Sequence, residues 1–137
     1  MMLTFELPYG QGERPIQMPE KGYVGTYLPR KTSGGKAEQG IIQTALENPI
    51  GTPRLKDLVQ KDQRIVIITS DMTRPCPNHT LLPPILQELQ GAGVPLNQVT
   101  VVIALGLHRP MTADELRRSV GDQVYEKVRV VNHDSAE

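Results

Sequence analysis

Three short apolar runs, each feeding into polar residues, constrain this chain more than any other feature. Arg64-Ile65-Val66-Ile67-Ile68-Thr69 leads into Ser70-Asp71-Met72-Thr73-Arg74-Pro75. Val99-Thr100-Val101-Val102-Ile103-Ala104-Leu105 leads into Gly106-Leu107-His108-Arg109-Pro110, and Val128-Arg129-Val130-Val131 is the third run. Between them lie helical spacings, one through Leu86-Gln87-Glu88-Leu89 ending at Gly91 or Gly93, the other from Ala113 to Val120 ending at Gly121. Strand–helix–strand–helix–strand implies a parallel sheet joined by right-handed crossovers. The fold class is α/β: a Rossmann-like parallel sheet with flanking helices.

Residues 1–62 are less regular and read as a hairpin and helical lead-in within the same domain as an α/β core over 63–137. Leu3 to Leu7 alternates apolar and polar and pairs with Pro15-Ile16-Gln17-Met18 across Tyr9-Gly10-Gln11-Gly12, giving an amino-terminal β-hairpin. Tyr23 to Gly35 is loop. Gly34-Gly35-Lys36 is read as loop too, because no apolar strand precedes it and Ala37 stands where a phosphate loop needs Ser or Thr. Ile41, Ile42, Ala45 and Leu46 give a helix over Glu38 to Glu47, and a shorter one covers Leu55 to Val59.

Two helix starts follow from capping physics. With Thr80 as N-cap, Pro83 and Pro84 fall within the first turn, where a missing N–H costs nothing. Thr112-Ala113-Asp114-Glu115 is a capping box, with Glu115 reaching back to Thr112. Both helices would direct their positive amino ends toward the edge of the sheet that carries the polar clusters.

Composition excludes several classes. Fifteen basic and 15 acidic residues give zero net charge, and no basic run is interleaved with aromatics, so a nucleic-acid groove is not expected. No apolar stretch approaches the roughly 18–20 residues needed to cross a bilayer. Met1-Met2-Leu3-Thr4-Phe5-Glu6 lacks the pattern of a signal peptide. A single cysteine, Cys76, allows no internal disulfide and suits a cytoplasmic location.

Adjacent parallel strands, about 4.8 Å apart, let the loops after them converge on one small ligand. Asp71 and Arg74 follow the first strand; His108 and Arg109 follow the second. An Arg fork suits a carboxylate or phosphate, and an imidazole can serve as a general base near neutral pH. Asp71 could bind a hydroxyl or orient Arg74, or simply be a turn residue before a helix; the arginines could be surface salt-bridge partners. His79 reads as a surface residue and Cys76 as an inert thiol, while His133 and Asp134 could line the same edge. No zinc-like Cys/His spacing occurs.

The first cluster, followed about thirty residues later by Ala104-Leu105-Gly106-Leu107-His108-Arg109-Pro110-Met111-Thr112, resembles the nickel-dependent lactate racemase family. That family's motifs read roughly Asp-x-Thr-Arg-Pro and Gly-x-His-Arg-x-Met. Gly93-Val94-Pro95 and Asn132-His133-Asp134 are similar to it as well. The resemblance implies a racemase or epimerase of small 2-hydroxy acids. Its nickel pincer nucleotide cofactor removes a hydride from the substrate carbon and returns it to either face. It also implies His108 as one of two catalytic bases. Asp71, Thr73, Arg74 and Arg109 would contact substrate or cofactor, with Arg74 a carboxylate anchor. The family's second catalytic His, its cofactor-tethering Lys, its nickel-ligating His and its carboxy-terminal domain all lie beyond residue 137. This chain is therefore expected to be the amino-terminal part of such an enzyme, truncated at the end of its core. Alone it is expected to be inactive and without cofactor, its missing partner being the rest of the same protein. The alternatives are an α/β module that binds a small anion or nucleotide without catalysis, and a purely structural domain.

Overall fold

Period-two alternation closes the amino end into a hairpin. Strand β1 (Met2–Tyr9) runs antiparallel to β2 (Gly12–Pro19), with Leu3 opposite Met18 and Phe5 opposite Ile16. Gly10 makes the turn at a φ of +61°, open to glycine at no steric cost. The computed structural model describes residues 1–30, 38–74 and 76–134, without the side chains of residues 38 and 39. Two compact units result, Met1–Ser33 and Gly34–Glu137. Residues 23–30 are irregular, as expected of loop. The loop reading of Gly34-Gly35-Lys36 and the motif's Pro75 lie outside the described residues.

The second unit starts with α1 (Glu38–Glu47) and a single turn, α2 (Leu55–Leu58). Strands β3 (Ile65–Ser70), β4 (Val99–Ala104) and β5 (Arg129–Asn132) then form a parallel sheet in the order β3-β4-β5. Helix α3 (Asn78–Gly91) joins the first two strands, with a 3₁₀ turn at Leu96–Gln98; α4 (Ala113–Val120) and the short α5 (Asp122–Tyr125) join the last two. The α/β fold and the hairpin are as the alternation predicts. Strand limits fall within a residue or so of the apolar runs.

One face of the sheet makes the core. Val99, Val101 and Ile103 of β4 are fully buried against Leu82, Leu86 and Leu89 of α3, Leu116 and Val120 of α4, and Val124 of α5. Leucines at i, i+4 and i+7 line one stripe of α3, and burying each contributes about 1.5–3 kcal/mol. Gly121 ends α4 at a φ of +83°, where an added Cβ would meet the His79 Cβ at 3.2 Å. Only glycine satisfies both that backbone and that approach.

Thr80 is not the cap of α3. The helix begins at Asn78, with Pro77 in the cap position, so Pro83 and Pro84 fall inside it. Tertiary bonding overrides the local preference: the Thr69 hydroxyl donates to the buried Asn78 Oδ1 at 2.7 Å, and Asn78 Nδ2 donates to Ser119 Oγ at 3.2 Å. Those two bonds tie the first helical residue to β3 and to α4. They fix the helix start three residues before the place where proline would cost least.

Candidate functional site at the carboxyl edge of the sheet

Ser70 and Ala104 are register partners at the ends of β3 and β4, so the two polar loops leave the sheet at the same level. After β3 the chain turns at once: Arg74 N–H donates to the Asp71 carbonyl at 3.1 Å, and Ser70 Oγ donates to the Arg74 carbonyl at 2.6 Å. After β4, Gly106 takes a φ of +58°, and His108 N–H donates to the Leu105 carbonyl at 3.0 Å. Two tight turns thereby bring together side chains 37 residues apart in sequence.

Asp71 is only 6 % exposed, and a buried carboxylate needs partners. Its Oδ1 accepts from the Thr73 backbone N–H at 3.1 Å and from the Thr73 hydroxyl at 2.7 Å. Its Oδ2 lies 2.6 Å from His108 Nδ1. The Thr73 hydroxyl bond, more than any other effect, holds the Asp71 carboxyl below its ordinary value; His108 and the Thr73 N–H act the same way, and burial opposes them. A carboxylate offers only lone pairs, so Nδ1 must carry the hydrogen between them. In the neutral ring, Nε2 is then left with its lone pair, the form a general base requires. The imidazole is 53 % exposed, within reach of a solute.

The arginines behave differently from each other. Arg109 donates both arms to Glu115, Nη1 to Oε2 at 2.8 Å and Nη2 to Oε1 at 2.7 Å. That fork is the main reason Glu115 is pulled down to about 2 from its ordinary 4.5. Glu115 also completes the capping box, accepting from Thr112 N–H at 2.8 Å while Thr112 Oγ1 accepts from Glu115 N–H at 3.3 Å. The loop carrying His108 is thus tied to the first turn of α4. Arg74 is exposed, and its guanidinium makes one long bond, 3.4 Å, to the Thr73 carbonyl. It sits on the same loop as Asp71 with its fork unoccupied by any described carboxylate.

A cleft of about 270 Å³ opens beside Asp71, lined also by Met72, Asn78, Met111, Glu115 and Arg118; Thr73, Arg74, His108 and Arg109 do not line it. A larger one, about 940 Å³, runs between α1, α3 and α5, and none of the five candidate residues lines it. Among the described residues no three of His, Cys, Asp and Glu cluster as a metal site would require, and no helix is long and apolar enough to cross a membrane. His79 and Cys76 are exposed, and His133 bonds through its backbone N–H to the Ile103 carbonyl at 2.9 Å.

Asn132 enters the sequence motifs only as part of Asn132-His133-Asp134, with no role of its own, and the structure gives it one. Its Nδ2 donates to the Met111 carbonyl at 2.9 Å, and its Oδ1 accepts from the Met111 N–H at 3.1 Å. This clamps the loop after β4 to the end of β5. A signal was available: Asn132 pairs with Ile103 in the register, so it puts an amide where the alternation calls for an apolar side chain.

Fold and site together define a class: an α/β domain that presents a carboxylate–imidazole pair at the carboxyl edge of a parallel sheet. The chain belongs to the lactate racemase N-terminal domain family, whose profile matches residues 9–137. It is 39 % identical over 137 residues to a lactate racemase of Thermoanaerobacterium thermosaccharolyticum and 31 % identical over 138 residues to one of Lactiplantibacillus plantarum. Those matches take in 98 % and 99 % of this chain but 32 % of each relative, so the chain spans about a third of their length. The solved structure of the lactate racemase apoprotein from T. thermosaccharolyticum superposes with a TM-score of 0.74 at 36 % identity, covering 97 % of this chain and 30 % of that one.

Proposed function

We propose that this chain is the amino-terminal part of a racemase or epimerase of small 2-hydroxy acids, lactate being the substrate named for its relatives. The observation that carries the reading is the 2.6 Å contact between His108 Nδ1 and Asp71 Oδ2. In the proposed reaction His108 Nε2 takes the proton of the substrate hydroxyl while the Asp71 carboxylate stabilises the resulting imidazolium. Thr73 holds Asp71 in place through the other carboxylate oxygen. Arg74, with its fork available, anchors the substrate carboxylate or an anionic group of the cofactor. Arg109 acts through Glu115 as a brace for the loop.

The nickel pincer nucleotide is implied by the family resemblance alone, and that resemblance places its nickel-ligating His and its tethering Lys beyond residue 137. No step in this reading runs through the metal. Its anchoring, and the second base that return of the hydride to the opposite face demands, are assigned to the length of polypeptide by which the relatives exceed this chain. Alone, the 137-residue chain is accordingly inactive.

The test is interconversion of the two lactate enantiomers by a full-length polypeptide carrying this chain, supplied with cofactor. His108→Gln should lower the rate by about 10²–10⁴-fold with the melting temperature kept. Interconversion at the unsubstituted rate in that variant would remove His108 from the chemistry.

A further inference from the structure

Both faces of a parallel sheet are ordinarily covered, because its crossovers lay helices on them. Here the face opposite the core carries Val66 and Ile68, which are 58 % and 71 % exposed. Register pairing extends that face into rows, Ile68–Val102–Val131 and Val66–Thr100–Arg129. Among the described residues, strand β3 also ends the sheet, so one of its sides bears backbone groups with no described strand beside them.

Topology says what belongs there. Going from β3 through β4 to β5, the chain advances across the sheet in one direction, with α3, α4 and α5 on the core face. Right-handed crossovers keep all further helices on that face as long as the chain advances the same way. A crossover passes over the opposite face only if the chain returns past β3 and adds a strand at its free side. The exposed Val66 and Ile68, with the half-buried Val102 and Val131 beside Ile68, lie on that opposite face, and the relatives are about three times as long as this chain.

From this we infer that the bare face docks a downstream segment of the same polypeptide. An apolar helix would cover Val66, Ile68, Val102 and Val131 and lead into a strand that pairs in parallel with the free side of β3. The strand order then reverses beside β3, and ligands of open α/β sheets bind where such a reversal occurs. Asp71, directly after β3, would stand at that point. The docked segment would thus complete the wall of the site that holds the Asp71–His108 pair, and so this chain cannot assemble the site by itself.

The experiment compares the 137-residue chain with a chimera in which it replaces the matching third of the T. thermosaccharolyticum relative. Backbone amides of β3 should exchange at least about tenfold more slowly in the chimera. Ile68→Lys should lower the chimera's Tm by roughly 4 °C or more and shift that of the isolated chain by no more than about 1 °C. Equal β3 exchange in the two proteins, or an Ile68→Lys effect absent from the chimera, overturns the inference. So does a chimera that does not fold where the relative does. A dimeric isolated chain that Ile68→Lys converts to monomer would assign the face to a second copy instead, also overturning it. None of these readouts is an activity, so their failure leaves the role proposed for His108 standing.

Discussion

The Asp71 carboxylate decides which nitrogen of His108 carries the proton, and that makes a single-atom change informative. In Asp71→Asn the new amide can donate its own N–H to Nδ1, which stabilises the tautomer with hydrogen on Nε2 and takes away the lone pair on which the proposed base role rests. The exchange is nearly isosteric, so the fold should survive. For the proposed racemase reaction, a full-length polypeptide carrying this chain should lose about 10²–10⁴ in kcat. In the isolated chain, nitrogen chemical shifts of His108 should report the Nδ1–H tautomer before the substitution and Nε2–H after it. An unchanged tautomer would mean that the 2.6 Å contact does not hold in solution. Thr73→Val asks the same question one bond further out, since it removes the hydroxyl that chiefly lowers the Asp71 carboxyl. That carboxyl should then titrate at higher pH than before, by carbon NMR.

At the scale of elements, the loop after β4 is held at two points, and each gives a prediction. Asn132→Ala strips the Met111 N–H and carbonyl of their partners in a partly buried place, which should cost about 1–3 kcal/mol in urea unfolding. Glu115 secures the other point. Its folded value of about 2 lies below its ordinary 4.5, so it contributes stability that is whole above about pH 4.5 and is lost as pH falls toward 2. Urea midpoints measured from pH 7 to pH 2 should therefore decline more steeply on the acid side in the parent chain than in Glu115→Gln. The two clamps also mark how far the sequence could be read. The capping box was legible because its signal is local, four consecutive residues. The start of α3 was not, because Asn78 is held there by Thr69 and Ser119, residues 9 and 41 positions away. Likewise the two polar clusters announced a convergent loop pair, but the choice of Glu115 over a ligand as the partner of Arg109 depends on how the loop folds back onto α4.

At the scale of the whole molecule the two units should differ in how firmly they hold their hydrogen bonds. The α/β unit buries a continuous apolar core, with Leu89, Val99, Val101, Ile103 and Val120 at 0 % exposure. The hairpin unit has no buried residue along either strand, and its ring contacts are the Phe5–Tyr23 pair at a separation of 5.3 Å and Arg14 over the Tyr9 ring at 4.5 Å. Two strands without a covered apolar face are marginal in water, whereas unfolding the core exposes most of what stabilises the chain. Opening of the hairpin therefore need not wait for the core. Amides of β1 and β2 should exchange with free energies near zero to about 2 kcal/mol, while the inter-strand amides of β4 should exchange only through global unfolding. Leu89→Ala separates the two processes. By leaving a cavity at the centre of the core it should lower global stability by about 2–5 kcal/mol, bringing the β4 amides down by that amount and leaving those of β1 and β2 where they were. Parallel loss of protection in both units would show instead that they unfold as one.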